Sequence, residues 1–276
     1  MTTATADAPE ATIRALTEGD ELAPGYHVLA HLRRGDTMDV YDVWSEARAC
    51  RCVAKVLRPD RLADRDDRRS LLREGRLLKR LAHLHIVRAY EVVVEPLPGV
   101  ILETLTGATL SYLIEESCRR MDLADVALLG IQLCSAMHYL HGQGYLHLDL
   151  KPSNIVVCQG LAKVIDLSIA RRPGRGPKGV GTRVYMAPEQ ARGGILGPAA
   201  DVWGIGATLY EAATGEPPFA YLEGRRYDQL ERRADPMRAH RRVPAAFAAV
   251  MDACLDPDPA RRPAVCELAG ELEAFA

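Results

Sequence analysis

Three polar residues in one short segment could together carry out phosphoryl transfer: Asp149, Lys151 and Asn154. A carboxylate can accept the proton of an attacking hydroxyl, an ammonium can neutralise charge on the transferred group, and a carboxamide oxygen can ligate magnesium. The alternation of polar and apolar residues predicts that His147 and Asp149 face one way, while the leucines around them face the core. Taken alone, the segment could also be an exposed turn formed around its proline.

A second candidate metal ligand, Asp166, follows a strand that the sequence predicts at 161–165. A carboxylate at the end of an apolar strand, close to Asn154, can supply a further oxygen to magnesium. Asp is also a common turn residue, so this position has weight only together with the others.

The N-terminal third contains an independent pair of charges. Lys55 lies in the middle of an apolar strand predicted over 51–57, where an ammonium is costly to bury without a partner. On a helix predicted over about 66–81, Glu74 falls on the same face as three leucines. We therefore expect an ion pair between Lys55 and Glu74. The alternative is two unrelated charges, with the lysine reaching solvent.

Together with further short motifs, these residues resemble the eukaryotic-like (Hanks-type) serine/threonine protein kinases of bacteria. The motifs are a catalytic loop around Asp149, a magnesium motif at Asp166, the Ala-Pro-Glu sequence ending at Glu189, the Asp-Val-Trp sequence beginning at Asp201, and Arg262. The resemblance implies an α+β, bilobal fold, with a small β-rich N-lobe that has one main helix and a larger, mainly helical C-lobe. It also implies that Glu189 and Arg262 form a buried pair.

The same resemblance assigns roles to residues. It implies transfer of the ATP γ-phosphate to a protein hydroxyl, with Mg²⁺, or alternatively Mn²⁺, as the metal. The expected catalytic residues are Asp149, Lys151 and Asn154, and the expected metal ligands are Asn154 and Asp166. The residues expected to bind the nucleotide are Lys55, Glu74, Gly35, Val40, Val53, Glu103, Leu105 and Val156.

The phosphate loop departs from the family pattern. Of the three glycines expected in the segment 32–41, only Gly35 is present. Arg33 and Met38 bring Cβ atoms to places where glycine would permit close approach of the backbone. Backbone N–H groups can still contact a phosphate, whatever the side chain.

The activation segment departs from the pattern as well. Leu148 replaces the arginine that commonly pairs with a phosphate there, and 169–181 contains no Ser, Thr or Tyr. We therefore expect a non-RD kinase that does not depend on activation-loop phosphorylation, with Thr182 in contact with the catalytic loop. The segment is basic instead, and its cations are Arg171, Arg172, Arg175 and Lys178. Such a run is either a solvated, mobile loop or a docking surface for an acidic protein substrate.

Two other functions are open at this point. One is a pseudokinase, a scaffold that binds nucleotide without turnover, and the other is a phosphotransferase with a related fold that acts on small molecules. The presence of every chemical group needed for transfer disfavours the first. The Ala-Pro-Glu sequence, which the second class does not typically carry, disfavours the second.

Length and hydrophobicity indicate one folded unit of two lobes, since 276 residues with 48% hydrophobic content can bury a core of that size. We expect a mobile N-terminal leader at 1–20 and a kinase domain at 21–276. Within that domain we expect an N-lobe at about 21–102, a hinge at about 103–107 and a C-lobe at about 108–276.

Charge and cysteine content bear on partners and location. A net charge of −2 gives no general attraction to nucleic acid. The seven cysteines show no CxxC spacing, which is typical of reduced thiols in the cytoplasm. No run of about 18 apolar residues and no signal peptide is recognised, so no membrane segment is expected. The sequence does not decide whether the chain forms a homodimer.

Overall fold

The structure is a computed structural model that describes residues 14–117, 120–220 and 227–276. The chain divides into two compact units. The first contains the chain up to Gly75 together with Ala89–Thr104, and the second contains Arg76–Arg88 together with Leu105–Ala276.

An antiparallel sheet forms most of the first unit. Among the described residues its strand order is β1-β2-β3-β4-β6-β5. The strands are β1 Glu21–Ala23, β2 Tyr26–Arg34, β3 Met38–Ser45, β4 Cys50–Leu57, β5 Ala89–Val93 and β6 Gly99–Glu103. A 3-10 turn at Pro59–Arg61 follows β4, and helix α1, Arg65–Arg80, begins in this unit.

The two faces of this sheet have different neighbours. Alternate residues of β3 and β4, among them Tyr41 and Ala54, point into an apolar core on one face. Helix α1 packs against the other face, near Val100. A Cβ on Gly75 would lie 2.5 Å from Val100 Cγ2, so glycine lets the helix approach the strand closely.

The predicted leader at 1–20 is described only in part, because residues 1–13 lie outside the described residues. Beyond them, the Leu16 amide donates a hydrogen bond to the Tyr41 hydroxyl (3.0 Å), and the Gly19 amide donates one to the Val28 carbonyl oxygen (2.9 Å). These contacts hold 16–20 on the sheet, where the sequence predicted a mobile segment. That stretch has no periodic pattern from which the contacts could be recognised.

The second unit is mainly helical. Its helices are α2 Leu110–Ser117, α3 Leu123–Gly142, α4 Pro188–Arg192, α5 Pro198–Thr214, α6 Met237–His240, α7 Ala245–Cys254 and α8 Val265–Glu273. Its strands are β7 Ala108–Thr109, β8 Ile155–Cys158, β9 Leu161–Val164, β10 Gly174–Arg175 and β11 Ile195–Leu196. Strands β7, β8 and β9 form one antiparallel sheet, and β10 pairs with β11. Short 3-10 turns lie at Pro152–Asn154, Asp228–Leu230 and Pro259–Arg261.

Helix α3 forms the core of the second unit, where it packs against α5 and α8. In the described part of the chain it is the one helix long and apolar enough to span a membrane, although the sequence was expected to contain no such run. Its apolar window is 56% buried inside the unit, as in the core helix of a globular protein. Asp122 is the N-cap residue of α3, but its side chain makes no capping hydrogen bond.

The segment Arg76–Arg88 clusters with the second unit, although the sequence assigned it to the N-lobe. The Val87 amide donates to the Val164 carbonyl oxygen (2.9 Å), and the Val164 amide donates to the His85 carbonyl oxygen (3.0 Å). These bonds attach the chain after α1 to β9. The boundary between Thr104 and Leu105 falls within the hinge predicted at 103–107.

Candidate active site

In the first unit, Lys55 and Glu74 form the predicted ion pair. The Lys55 ammonium lies 3.0 and 2.9 Å from the two Glu74 carboxylate oxygens. The Glu74 side chain is 2% exposed and the Lys55 side chain 16%. Each charge thus compensates the other where neither is well solvated.

The register of the sheet places two predicted nucleotide-binding valines on the face that carries Lys55. Val40 on β3 lies directly opposite Lys55 on β4. Val53 precedes Lys55 by two residues on the same strand, so its side chain points the same way. The other predicted residues belong to different elements: Glu103 ends β6, Leu105 begins the longer segment of the second unit, and Val156 lies in β8. Their contacts with a nucleotide stay predictions.

Gly35 lies in the turn between β2 and β3, where the sequence predicted the phosphate loop. At the base of this turn the Arg34 guanidinium donates to both carboxylate oxygens of Asp39, each at 2.8 Å. The Asp39 side chain is 0% exposed. Burial alone would raise the pKa of Asp39, but its bonds to Arg34 and His31 outweigh burial and lower that pKa, so the carboxylate stays ionised. An ion pair between exposed Arg34 and the buried Asp39 carboxylate therefore braces this hairpin.

In the second unit, Asp201 of α5 holds the segment that leads to Asp149. Its buried carboxylate accepts hydrogen bonds from the amides of His147 (2.9 Å) and Leu148 (2.7 Å) and from the His141 ring (2.8 Å). These bonds support Leu148 at φ +67°, a left-handed conformation that leucine seldom adopts. The Leu148 residue is 3% exposed.

The alternation predicted for this segment is partly wrong. Leu146, Leu148 and Leu150 are buried, as predicted, but His147 is buried as well. The left-handed residue at 148 interrupts the extended conformation on which alternation depends. The Asp149 amide donates to His147 Nδ1 (3.2 Å), which leaves the ring proton on Nε2, and burial lowers the pKa of His147.

The three residues singled out first, Asp149, Lys151 and Asn154, come together. Lys151 Nζ lies 2.9 Å from Asp149 Oδ2, and Asn154 Nδ2 donates to the same oxygen (3.1 Å) and to the Asp149 carbonyl oxygen (3.0 Å). Asp149 Oδ1 accepts the Thr182 amide (2.7 Å). A carboxylate offers about four acceptor positions, so three donors leave about one for a further hydroxyl.

Two oxygens suited to a hard cation lie next to this cluster. Because the Asn154 amide nitrogen donates to Asp149, the Asn154 carboxamide oxygen faces elsewhere. The Ile165 backbone amide donates to the backbone carbonyl oxygen of Asn154 (3.0 Å), and this bond brings Asp166 beside Asn154. One Asp166 oxygen accepts the Ser168 amide (2.8 Å), and this orients the carboxylate. Mg²⁺ takes oxygen ligands and is commonly held by one or two protein side chains, with water and substrate phosphates in the other positions.

The activation segment meets the catalytic loop at Thr182, as predicted. The Thr182 amide donates to Asp149, and in addition Thr182 Oγ1 accepts a hydrogen bond from the Lys151 ammonium (2.6 Å). Gly181 adopts φ +117°, and a Cβ there would lie 2.7 Å from the Leu148 carbonyl oxygen, so the position requires glycine. Gln190 of α4 donates to that carbonyl oxygen (2.8 Å) and to one in the activation segment (2.9 Å).

The basic part of the activation segment has regular backbone pairing, whereas one predicted alternative was a mobile loop. Strand β10 pairs with β11, and Arg171 pairs with Leu146. The Arg171 guanidinium donates to the Arg175 carbonyl oxygen (3.1 Å). Within the part of the chain that the structure describes, no ion pair involves the cations of this segment, and three of them are exposed: Arg172, Arg175 and Lys178.

The predicted pair of Glu189 and Arg262 is confirmed. The guanidinium donates to the two carboxylate oxygens at 2.7 and 2.9 Å, and to the carbonyl oxygens of Ala199 and Asp256. The Arg262 side chain is 0% exposed and lies over the Trp203 ring at 4.9 Å. It joins the first turn of α4 to the start of α5.

Gln190 was not predicted from the sequence, although its buried amide links the catalytic loop to the activation segment. Its one sequence signal is its place directly after the Ala-Pro-Glu motif, in the first turn of a short helix. A long-range contact of this kind has no periodic pattern.

Comparisons with known proteins agree with this geometry. Residues 26–271 match the family described as "Protein kinase domain". The serine/threonine-protein kinase PkaA of Streptomyces coelicolor is 35% identical over 232 residues, which cover 80% of this chain and 42% of that protein. The DNA damage-responsive serine/threonine-protein kinase RqkA of Deinococcus radiodurans is 33% identical over 214 residues, which cover 74% of this chain and 32% of that protein. The chain therefore spans less than half the length of these relatives.

Among solved structures, the kinase domain of Mycobacterium tuberculosis PknI is similar with a TM-score of 0.75 and 24% identity, covering 95% of this chain and all of that domain. This likeness concerns the fold. It confirms the predicted α+β class, with a β-rich N-terminal part and a mainly helical C-terminal part.

Proposed function

Because this chain belongs to the protein kinase family, in its bacterial eukaryotic-like (Hanks-type) group, we propose that it is an ATP-dependent serine/threonine protein kinase. The reaction is transfer of the ATP γ-phosphoryl group to a hydroxyl of a protein substrate. The observation that carries the proposal is the convergence of Asp149, Lys151 and Asn154, with the Thr182 amide completing the set.

In this proposal Asp149 orients the substrate hydroxyl and accepts its proton. The three donors around its carboxylate fix the side chain and leave an acceptor position for the hydroxyl. Lys151 then neutralises charge on the transferred group, from a place already set by Asp149 and Thr182. Preorganised groups of this kind lower the barrier because they need not reorient during the reaction.

Mg²⁺, or alternatively Mn²⁺, would be held by the Asn154 carboxamide oxygen and the Asp166 carboxylate. When bound, the metal ion would neutralise negative charge on the ATP phosphates. Lys55, oriented by Glu74, would bind the ATP phosphates, since an ammonium anchored on a buried carboxylate points in a fixed direction. The resemblance assigns the remaining nucleotide contacts to Gly35, Val40, Val53, Glu103, Leu105 and Val156.

The direct test is Mg²⁺-dependent turnover by the purified chain beside the Asp149→Asn variant. Loss of a positioned general base lowers turnover by about 10²–10⁴, and MgATP binding should largely persist. If the wild-type chain binds MgATP but transfers no more phosphate to generic and candidate proteins than Asp149→Asn does, the pseudokinase alternative is correct. A strong preference for a small metabolite over every protein would favour the alternative of a phosphotransferase that acts on small molecules.

Activity in this proposal does not depend on phosphorylation of the activation segment, as expected of a non-RD kinase. Two features support this: buried, apolar Leu148 offers no cation to a phosphate, and the β10–β11 ladder and Gln190 hold the segment without one. Enzyme treated with a phosphatase should therefore keep its rate. A large loss of rate, restored by a phosphate mapped to Thr182 or Ser168, would contradict this part of the proposal.

The protein substrate in this proposal carries acidic residues near its acceptor hydroxyl. The exposed cations of the activation segment have no ion-pair partner in the described structure, so they are available to an anionic segment. Replacing Arg172, Arg175 and Lys178 by Ala should raise KM for an acidic peptide more than KM for ATP, and salt should reduce the difference. A matched control removes three exposed cations of α1: Arg76, Lys79 and Arg80. Equal effects of both triple variants would contradict a specific docking role.

The proposed location is the cytoplasm, where ATP is present and thiols stay reduced. The six cysteines in the described part of the chain are free thiols. Neither nucleic acid nor a membrane is part of the proposed function, and homodimerisation is left open.

A further inference from the structure

Arg58 reaches the turn that carries Gly35. It follows β4, and its Nη1 donates hydrogen bonds to the carbonyl oxygens of Gly35 (2.9 Å) and Asp36 (3.1 Å). The Arg58 backbone amide donates to the Thr37 carbonyl oxygen (3.0 Å). One residue thus contacts all three carbonyl groups of the turn between β2 and β3.

The guanidinium is itself held in place. Arg58 Nε and Nη2 donate to the two carboxylate oxygens of Asp60 at 2.9 and 2.8 Å. This two-bond pairing fixes the plane of the guanidinium and leaves Nη1 directed at the turn. A flexible ammonium has no comparable fork, so lysine would not reproduce the arrangement.

The orientation of these carbonyl groups determines where the N–H groups of the turn point. In a trans peptide the C=O of one residue and the N–H of the next are antiparallel. Because the Gly35 and Asp36 carbonyl groups face Arg58, the N–H groups of Asp36 and Thr37 face away from it. In the described structure neither of these two N–H groups has a hydrogen-bond partner.

We propose that Arg58 is a positioning residue that turns the Asp36 and Thr37 amides toward the phosphates of the nucleotide. Adjacent backbone N–H groups that point the same way bind anionic oxygens. A phosphate loop usually obtains this arrangement from glycines, and here only Gly35 is present. The inference rests on the proposed function for the nature of the ligand. Arg58 would give the loop a fixed shape that the sequence of the loop does not provide.

The test measures equilibrium binding of three probes, MgATP, MgADP and adenosine, by calorimetry. The variants are Arg58→Ala and Arg58→Gln; the second retains part of the side-chain stem, so that misfolding of one variant does not remove the comparison. The matched control is Arg61→Ala, which removes the same charge from the 3-10 turn that directly follows Arg58, without touching the carbonyl groups. Binding does not require turnover, so the outcome is independent of whether the chain transfers phosphate.

We expect both Arg58 variants to weaken MgATP and MgADP by about 3- to 10-fold, comparable to the loss of one typical hydrogen bond, because the two amides lose their fixed orientation but can still donate. Adenosine, which has no phosphate, should bind as to the wild-type chain, and Arg61→Ala should bind all three probes normally. Unchanged MgATP affinity in the Arg58 variants would overturn the inference. So would an equal loss for adenosine, because Arg58 would then support the unit as a whole.

Discussion

Replacing Asp201 by Asn tests whether the conformation at Leu148 is maintained by charge. The Asp201 carboxylate accepts three hydrogen bonds, at 2.7, 2.8 and 2.9 Å, from groups that include the Leu148 amide. Hydrogen bonds to a charged group contribute about 1.5–3 kcal/mol each, whereas a left-handed non-glycine residue costs about 1–2 kcal/mol. Asn preserves the size of the side chain but offers one acceptor oxygen and turns an NH₂ group toward the donors.

The expected loss from Asp201→Asn is therefore about 2–4 kcal/mol in the free energy of unfolding, as one or two of the three bonds disappear. The hydrogen bonds that remain are then made to a neutral side chain, and they no longer outweigh the strain of the left-handed conformation. Leu148 should therefore relax toward negative φ and displace Asp149. A displacement of about 1 Å lowers kcat by about 10²-fold, while KM for ATP should change by less than about twofold.

Urea unfolding measures the first quantity and steady-state kinetics with a protein substrate measures the second. The matched control is Asp125→Asn, an exposed Asp in the first turn of α3. If Asp201→Asn unfolds within about 0.5 kcal/mol of the wild-type chain and keeps its kcat, a carboxylate is not what holds the left-handed residue, and the reasoning is refuted.

Three further predictions concern other parts of the molecule. Arg33 lies opposite Val40 on the face of the sheet that carries Lys55, where its guanidinium is placed to contact a phosphate of ATP. Replacing Arg33 and Met38 by Gly should therefore raise KM for ATP by about 3- to 10-fold, whereas a lower KM would mean that steric crowding by these side chains dominates. Glu189→Gln should lower the free energy of unfolding by about 3 kcal/mol in a denaturant titration, because a buried guanidinium loses its counter-charge, and a loss below about 1 kcal/mol would contradict this. His147 has a pKa lowered by burial, so the unfolded chain binds its proton first as pH falls below about 6.5, and stability decreases there by up to about 1.4 kcal/mol per pH unit. His147→Gln should lack this part of the slope between pH 7.5 and 5.5, and an identical slope in both proteins would contradict it.

The parts of the site that the sequence predicted depend on local patterns. Lys55 and Glu74 were recognisable because each is a charge at an apolar position of a regular strand or helix, and burying one requires the other. The contact of Thr182 with the catalytic loop, and the pair of Glu189 and Arg262, followed from resemblance to a family of known fold. Both are confirmed.

The parts that the sequence did not predict depend on contacts between distant segments. Leucine at 148 gives no indication of a positive φ, because the conformation is imposed by a carboxylate 53 residues away. Gln190 and Arg58 donate hydrogen bonds to backbone carbonyl oxygens. Every residue has such an oxygen, so the residue type does not indicate which one is the acceptor. The same holds for 16–20, whose bonds to the sheet involve backbone groups.

The apolar surroundings of Leu148 also bear on how this chain can evolve. Arginine at this position would place a cation where the present side chain is 3% exposed, and with no phosphate to receive it the substitution would cost several kcal/mol. A phosphate on the activation segment would meet no cation at position 148 until that arginine exists. Each of the two changes is therefore unfavourable or neutral without the other, so control by a phosphate paired with residue 148 would require a double substitution in a chain that carries Leu148.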